Sequence, residues 1–184
     1  DGSVFTEVKT VRPDGTDCDP GEEGEIVMRG PGMMVGYWNN PEATEAAIVD
    51  GWLHSGDIGV IDERGFLRFV DRQKDLIISG GFNISPSEVE AVIGSVPGVT
   101  EVAVIAVPDK QWGETPAAIV YSESGHVDED EVLASVKREL AVLKVPKYVV
   151  QVDAPLPRLA SDKLAKRPLR EDYADPPARS SSSS

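Results

Sequence analysis

In the stretch LHSGDIG, Asp57 follows a small, flexible Ser-Gly turn. A carboxylate so placed can accept hydrogen bonds from two vicinal hydroxyls, as on a ribose, or it can cap its own loop. Arg72 ends a strand in VDRQKD, where a guanidinium holds a ribose or a phosphate, or serves as a surface ion-pair partner. Gly80-Gly81 permits close backbone approach of a ligand and is also ordinary hairpin-turn composition. Trp112, in DKQWGETP, is a loop anchor or a binding platform. Lys163, in PLPRLASDKLAKRPLR, stands next to Asp162 in a basic stretch. Taken alone it is either a solvated tail charge or an ammonium held ready for chemistry. No Walker-type phosphate loop and no Ser/His/Asp arrangement can be argued.

The bulk composition narrows the chemistry. A chain of 184 residues allows one domain or two small ones. The formal net charge of -14 argues against non-specific binding to nucleic acid or anionic membrane. That charge is uneven: residues 1–70 carry 5 basic and 14 acidic side chains, and residues 144–170 carry 7 basic and 2 acidic. An anionic small molecule is drawn towards the late segment. Cys18 is the single cysteine, so an internal disulfide and a cysteine-rich metal site are both excluded. His54 and His126, the two histidines, lack a second ligand at metal spacing, and no metal-ligating residues are expected. With no signal-peptide pattern and no long apolar run, a cytoplasmic, reduced compartment is the expectation. The chain starts in strand-like sequence without a methionine, as a piece of something longer would.

The elements that must position these residues fall into two groups. Residues 4–11 alternate and are β-branched, GEIVMRG reads as a second strand, and residues 41–48 read as a short helix. IGVIDERGFLRFVDR reads as strand, four-residue turn, strand, so residues 1–72 are mainly antiparallel sheet. After a seam near residues 71–76 the pattern becomes mixed. DLIISGGFNIS is a hairpin turning at Gly80-Gly81. Ser85, Pro86 and Glu88 open a helix to about Ser95. EVAVIAV and AAIVYSE are strands, and Asp128 with Glu131 opens a helix to about Leu143. KYVVQVD is a last strand, and KLAKRPLRE a short helix broken near Pro168. The fold class is α+β: a β-rich piece, then a small α+β domain. Residues after Asp175 read as disordered.

In order, GMMVGYWNNPEAT, DGWLHSGDIGVIDERGFLRFVDRQKDLIISGGFNISPSEVE, DKQWGETPAAIV and PLPRLASDKLAKRPLR resemble successive signatures of the adenylate-forming acyl-CoA synthetases. The resemblance covers roughly residues 22–172, and its central block is most similar to fatty-acyl-CoA ligases. It implies an enzyme that joins a carboxylic acid to CoA through an acyl-adenylate, using ATP with Mg2+ and releasing AMP and pyrophosphate. It implies a large domain whose β-rich end is residues 1–73, a small mobile domain at 74–175, and a disordered tail at 176–184. The expected partners are small molecules and the upstream large domain, with no nucleic acid and no transmembrane segment. The phosphate loop and adenine pocket belong to sequence upstream, so this stretch is expected to be inactive alone.

Carried over by motif, Asp57 matches the aspartate that binds both ribose hydroxyls of ATP, and Arg72 matches an arginine that also contacts the ribose. Lys74 falls on the hinge. Gly80 and Gly81 match the turn lining the pantetheine tunnel, and Trp112 is a CoA contact. Lys163 aligns with the lysine that enters the site for adenylation. The family has glycine before that lysine where this sequence has Asp162. Aspartate tolerates a positive φ better than most residues, but its carboxylate is also placed to pair with Lys163. Two other readings stay open: a non-catalytic folded module, and an adenylation domain feeding a carrier protein.

Overall fold

A computed structural model describes residues 6–174 and Pro176. The expected disordered tail, and the first two residues of the expected 4–11 strand, lie outside the described residues, Pro176 apart. The chain divides into two compact units, Asp1–Lys74 and Asp75–Ser184.

The first unit is built on antiparallel pairs. Strands β1 (Glu7–Val11), β2 (Glu23–Arg29), β3 (Ile48–Val49), β4 (Trp52–Ile61) and β5 (Leu67–Arg72) form one sheet ordered β1-β2-β4-β3, with β5 also on β4. Val11, Ile26, Val27, Ile58 and Val60 are its buried apolar residues. Helix α1 (Pro41–Ala47) begins where Asn40 accepts a hydrogen bond from the Ala43 N–H, with Pro41 in the first turn.

The second unit packs helices on both faces of a mixed sheet. Its strands are β6 (Ile77–Ser79), β7 (Phe82–Ile84), β8 (Glu101–Asp109), β9 (Gly113–Tyr121) and β10 (Tyr148–Val152). Strand β9 is central: it pairs antiparallel with β8 along its whole length and parallel with β10. The parallel pair needs a crossover, and α3 (Glu129–Glu139) supplies it. With α2 (Pro86–Ile93), α3 covers one face, where Val89, Ile93, Val104, Val120, Val132 and Val136 pack together. Helix α4 (Lys166–Asp172) covers the other, where Leu169 and Leu156 meet Ala103, Ile105, Ala117 and Ile119. Burial on both faces is why β8 and β9 read as continuous apolar runs and not as alternating ones.

Three expectations change. The Ser-Gly turn before Asp57 is not a turn: residues 52–61 are one strand, irregular where its pairing with β2 shifts register. Gly56, at φ 69°, absorbs that irregularity as only glycine does cheaply. Helix α3 ends at Glu139 and not near Leu143; Leu140 is already extended. A 3-10 turn at Val142–Lys144 follows, and Val145, which precedes Pro146, is extended as a pre-proline residue must be. Leu140 and Leu143 still pack on the core from non-α backbone, which is why helical spacing read through them. Finally, Pro168 does not break the last helix. It is the third residue of α4, in the first turn, where its missing N–H has no intrahelical partner to lose.

Candidate functional site

Asp57 and Arg72 stand directly opposite each other on β4 and β5. Arg72 Nε donates to Asp57 Oδ1 at 2.9 Å, and both side chains keep solvent access, at 52% and 30% exposed. The pairing orients the carboxylate while leaving acceptor capacity for vicinal hydroxyls. The strand beneath is pinned: the Asp57 N–H donates to Ser55 Oγ at 3.1 Å, and that hydroxyl donates to the Ile26 carbonyl at 2.7 Å. Glu25 holds the irregular segment with both oxygens. One accepts the Gly56 N–H at 3.0 Å, and the other lies 2.8 Å from His54 Nδ1. Sequence reasoning missed Glu25. It sits 31 residues before Gly56, and only the strand register connects them.

Lys74 is exposed, in the 3-10 turn Gln73–Asp75. The residue after it is tied down, because Arg170 of α4 donates to Asp75 Oδ1 at 2.8 Å.

Gly80 and Gly81 form the two-residue turn between β6 and β7, both at positive φ (58° and 84°). That is the backbone a tight hairpin requires. Gly80 is constrained a second way: a Cβ there would lie 2.6 Å from Trp112 Cε3, and the Gly80 N–H donates to the Trp112 carbonyl at 2.9 Å. The structure therefore brings the glycine turn and the tryptophan together. Trp112 is in turn set by Asp109, whose Oδ1 accepts the N–H groups of Gln111 and Trp112 at 2.8 and 2.9 Å. Asp109 Oδ2 binds Lys147 Nζ at 2.6 Å. The lysine ammonium first, and then the two backbone N–H groups, lower the Asp109 carboxyl to about 2. The same contact raises Lys147. A groove of about 980 Å³ runs beside Trp112, lined also by Ser79, Asp109, Lys147, Tyr148 and Val142.

Lys163 stands on a separate turn before α4. It is exposed, and among the described residues it has no ion-pair partner within 4 Å. Asp162 is left-handed at φ 64°, the conformation a glycine would supply. Its carboxylate does not pair with Lys163; it lies 3.7 Å from Arg158 Nη1. The local reason is that Arg158 also donates from Nη1 to the Asp162 carbonyl at 2.8 Å, which brings the guanidinium alongside.

Residues 88–163 match the AMP-binding enzyme C-terminal domain. A feruloyl-CoA synthase from Amycolatopsis is 48% identical over 93% of this chain, which spans 35% of that protein. The long-chain-fatty-acid–CoA ligase FadD13 of Mycobacterium tuberculosis is 45% identical over 94% of the chain and 34% of the relative. Among solved structures, ATP-bound MatB from Rhodopseudomonas palustris superposes with a TM-score of 0.85 at 41% identity, over 92% of this chain and 34% of that one. The chain thus spans about a third of the length of the proteins it matches. The match to the AMP-binding enzyme C-terminal domain takes in residues 88–163, and over most of its length the chain is similar to about a third of each of these proteins.

Proposed function

We propose that this chain is the C-terminal portion of an ATP-dependent acid–thiol ligase that makes an acyl-CoA through an acyl-adenylate. The observation that carries the reading is Lys163, an exposed ammonium without an ion-pair partner among the described residues, on a turn held by several hydrogen bonds. In the first half-reaction a carboxylate oxygen bonds to the α-phosphorus of ATP and the bond to the pyrophosphate oxygen breaks. Two anions meet, and negative charge gathers on the transferring oxygens. An ammonium between them stabilises that arrangement in a water-poor site. In the second, the CoA sulfur bonds to the acyl carbon, AMP leaves, and the thiol proton is lost to base.

The other residues take supporting parts. Asp57, oriented by Arg72, accepts the two ribose hydroxyls of the nucleotide, and Arg72 adds a contact to the same sugar. Lys74 is the pivot between half-reactions. Gly80 and Gly81 let the pantetheine arm pass close to the backbone, beside Trp112. ATP arrives with Mg2+. Among the described residues no three His, Cys, Asp or Glu side chains cluster as a metal site, and no step is assigned to this chain through the ion. The 184 residues contain no Ser/Thr/Gly-rich phosphate loop, so turnover is assigned to the complete enzyme and not to this stretch.

The test is ATP–pyrophosphate exchange by the complete enzyme against a panel of carboxylic acids. Lys163→Ala is expected to lower the exchange rate by about 10²–10³-fold. Exchange at the wild-type rate in that variant would remove Lys163 from the mechanism, and exchange without CoA-ester formation would remove CoA as the acceptor.

A further inference from the structure

The turn that carries Lys163 is closed by one side chain, Arg158. Around it the backbone forms a short ladder. Arg158 and Leu164 face each other in an antiparallel bridge, the Ala165 N–H donates to Pro157 O at 2.7 Å, and the Leu159 N–H donates to Lys163 O at 2.8 Å. Inside the loop the Asp162 N–H donates to Leu159 O at 2.9 Å. The Asp162 carbonyl, in the peptide that leads directly into Lys163, accepts from Arg158 Nη1 at 2.8 Å. The other terminal nitrogen of Arg158 donates to Glu101 Oε1 on β8 at 2.7 Å. The second oxygen of Glu101 accepts the Leu156 N–H at 2.7 Å. One carboxylate, 17% exposed, therefore holds both the guanidinium and the backbone that leads into the turn. The Arg158 guanidinium first, then the Leu156 N–H, hold the Glu101 carboxyl below its usual range against partial burial.

A planar guanidinium suits this task because its donors leave in fixed directions, so one group can hold two acceptors at a set separation. A lysine at 158 presents its three donors from one freely rotating nitrogen and so fixes no such separation. We propose that Arg158, anchored by Glu101, is a positioning residue for adenylation: it fixes the Asp162–Lys163 peptide so that the Lys163 ammonium is delivered in one place and one orientation. The inference rests on the reading of Lys163 as the adenylation lysine and goes beyond it. Because that lysine serves the first half-reaction only, loss of Arg158 slows adenylation and spares thioester formation from an acyl-adenylate supplied ready made. A residue that merely stabilised the domain would affect both half-reactions alike, since the same domain serves both.

The experiment uses the complete enzyme and follows the two half-reactions separately for wild type, Lys163→Ala, Arg158→Ala, Arg158→Lys, Glu101→Gln and the Arg158→Ala/Lys163→Ala double variant. Arg158→Ala is expected to lower kcat for pyrophosphate exchange about 10²-fold, the cost of a small misplacement of a catalytic group. The KM for ATP should change little, and thioester formation from synthetic acyl-adenylate should stay at the wild-type rate. Arg158→Lys should recover part of the loss, and Glu101→Gln should show the same split to a smaller extent. The double variant should be no slower than Lys163→Ala alone, because residues acting as a unit are not additive. Wild-type exchange in Arg158→Ala, with exchange lost in Lys163→Ala, overturns the role of Arg158 and leaves that of Lys163 standing. Wild-type exchange in Lys163→Ala overturns the underlying reading instead. Equal losses in both half-reactions reduce Arg158 to a structural residue. If Arg158→Ala fails to fold, Glu101→Gln decides by the same split.

Discussion

Asp162 occupies a left-handed backbone position at φ 64°, the conformation glycine adopts most readily, and the neighbouring bonds over-determine it. A left-handed residue with a Cβ meets its own carbonyl, at a cost of roughly 1–2 kcal/mol for most side chains and less for aspartate. Aspartate is thus a tolerable replacement there, and its carboxylate sits by Arg158 and not against Lys163. It follows that Asp162→Ala should be less stable than Asp162→Gly by about 1 kcal/mol, because alanine keeps the Cβ clash and lacks the polar side chain. Urea unfolding of the two variants measures this directly; equal midpoints would mean that the turn relaxes out of the left-handed conformation. The exchange rate of Asp162→Gly is the companion measurement. If the carboxylate does not damp Lys163, removing it leaves adenylation at or near the wild-type rate.

At the scale of elements, the loop between β8 and β9 shows what a single carboxylate organises. Asp109 is 3% exposed in its side chain, receives two backbone N–H groups and an ammonium, and so sets Trp112 beside Gly80. Its pKa of about 2 lies below the unfolded value of about 3.9. Between those values the unfolded chain takes up a proton that the folded chain refuses, so acid favours unfolding. The contribution is complete above about pH 4 and is lost as pH falls towards 2. Asp109→Asn keeps an oxygen for the two N–H groups but removes the titration. The gap in urea midpoint between wild type and this variant should therefore narrow steadily from pH 4 to pH 2, and a gap independent of pH would assign the stabilisation to something other than Asp109. How far such features are legible in sequence follows from their range. The caps at Ser85 and Asp128 were readable because cap and partner N–H are two or three residues apart. The glycine turn was readable from its type alone. The end of α3 was not, because Leu140 and Leu143 continue the spacing from a different backbone. Glu25 with Gly56 and Arg158 with Glu101 were invisible, being 31 and 57 residues apart and joined only by strand register and packing. Asp57 and Arg72 were each picked out by motif, yet their pairing depends on a register shift that no local pattern announces.

At the scale of the whole chain, independence depends on which residues close each core. Among the described residues, the buried apolar residues of the second unit, from Ile77 to Leu169, fall into two clusters built of that unit's own side chains, one on each face of its sheet. Both sheet faces are covered by helices from the same unit, so its central strand β9 needs no further element to keep water out. The C-terminal segment is also tied back within the unit. Arg170 binds Asp75 at 2.8 Å and Lys166 binds Glu90 at 2.7 Å, the latter pair only 15% and 18% exposed. Breaking one partner of such a shielded pair costs more than an exposed pair is worth, because the other charge is left uncompensated. A domain with its own core and a boundary in a short exposed turn folds independently as a rule. Residues 75–184 expressed alone should therefore unfold in one cooperative transition, with coincident midpoints by far-UV circular dichroism and by Trp112 fluorescence. The fluorescence is specific in that fragment, since Trp38 and Trp52 fall outside it. A gradual, non-coincident loss of the two signals would show that the domain depends on the preceding residues, and would move the boundary from Lys74 to an earlier position in the chain.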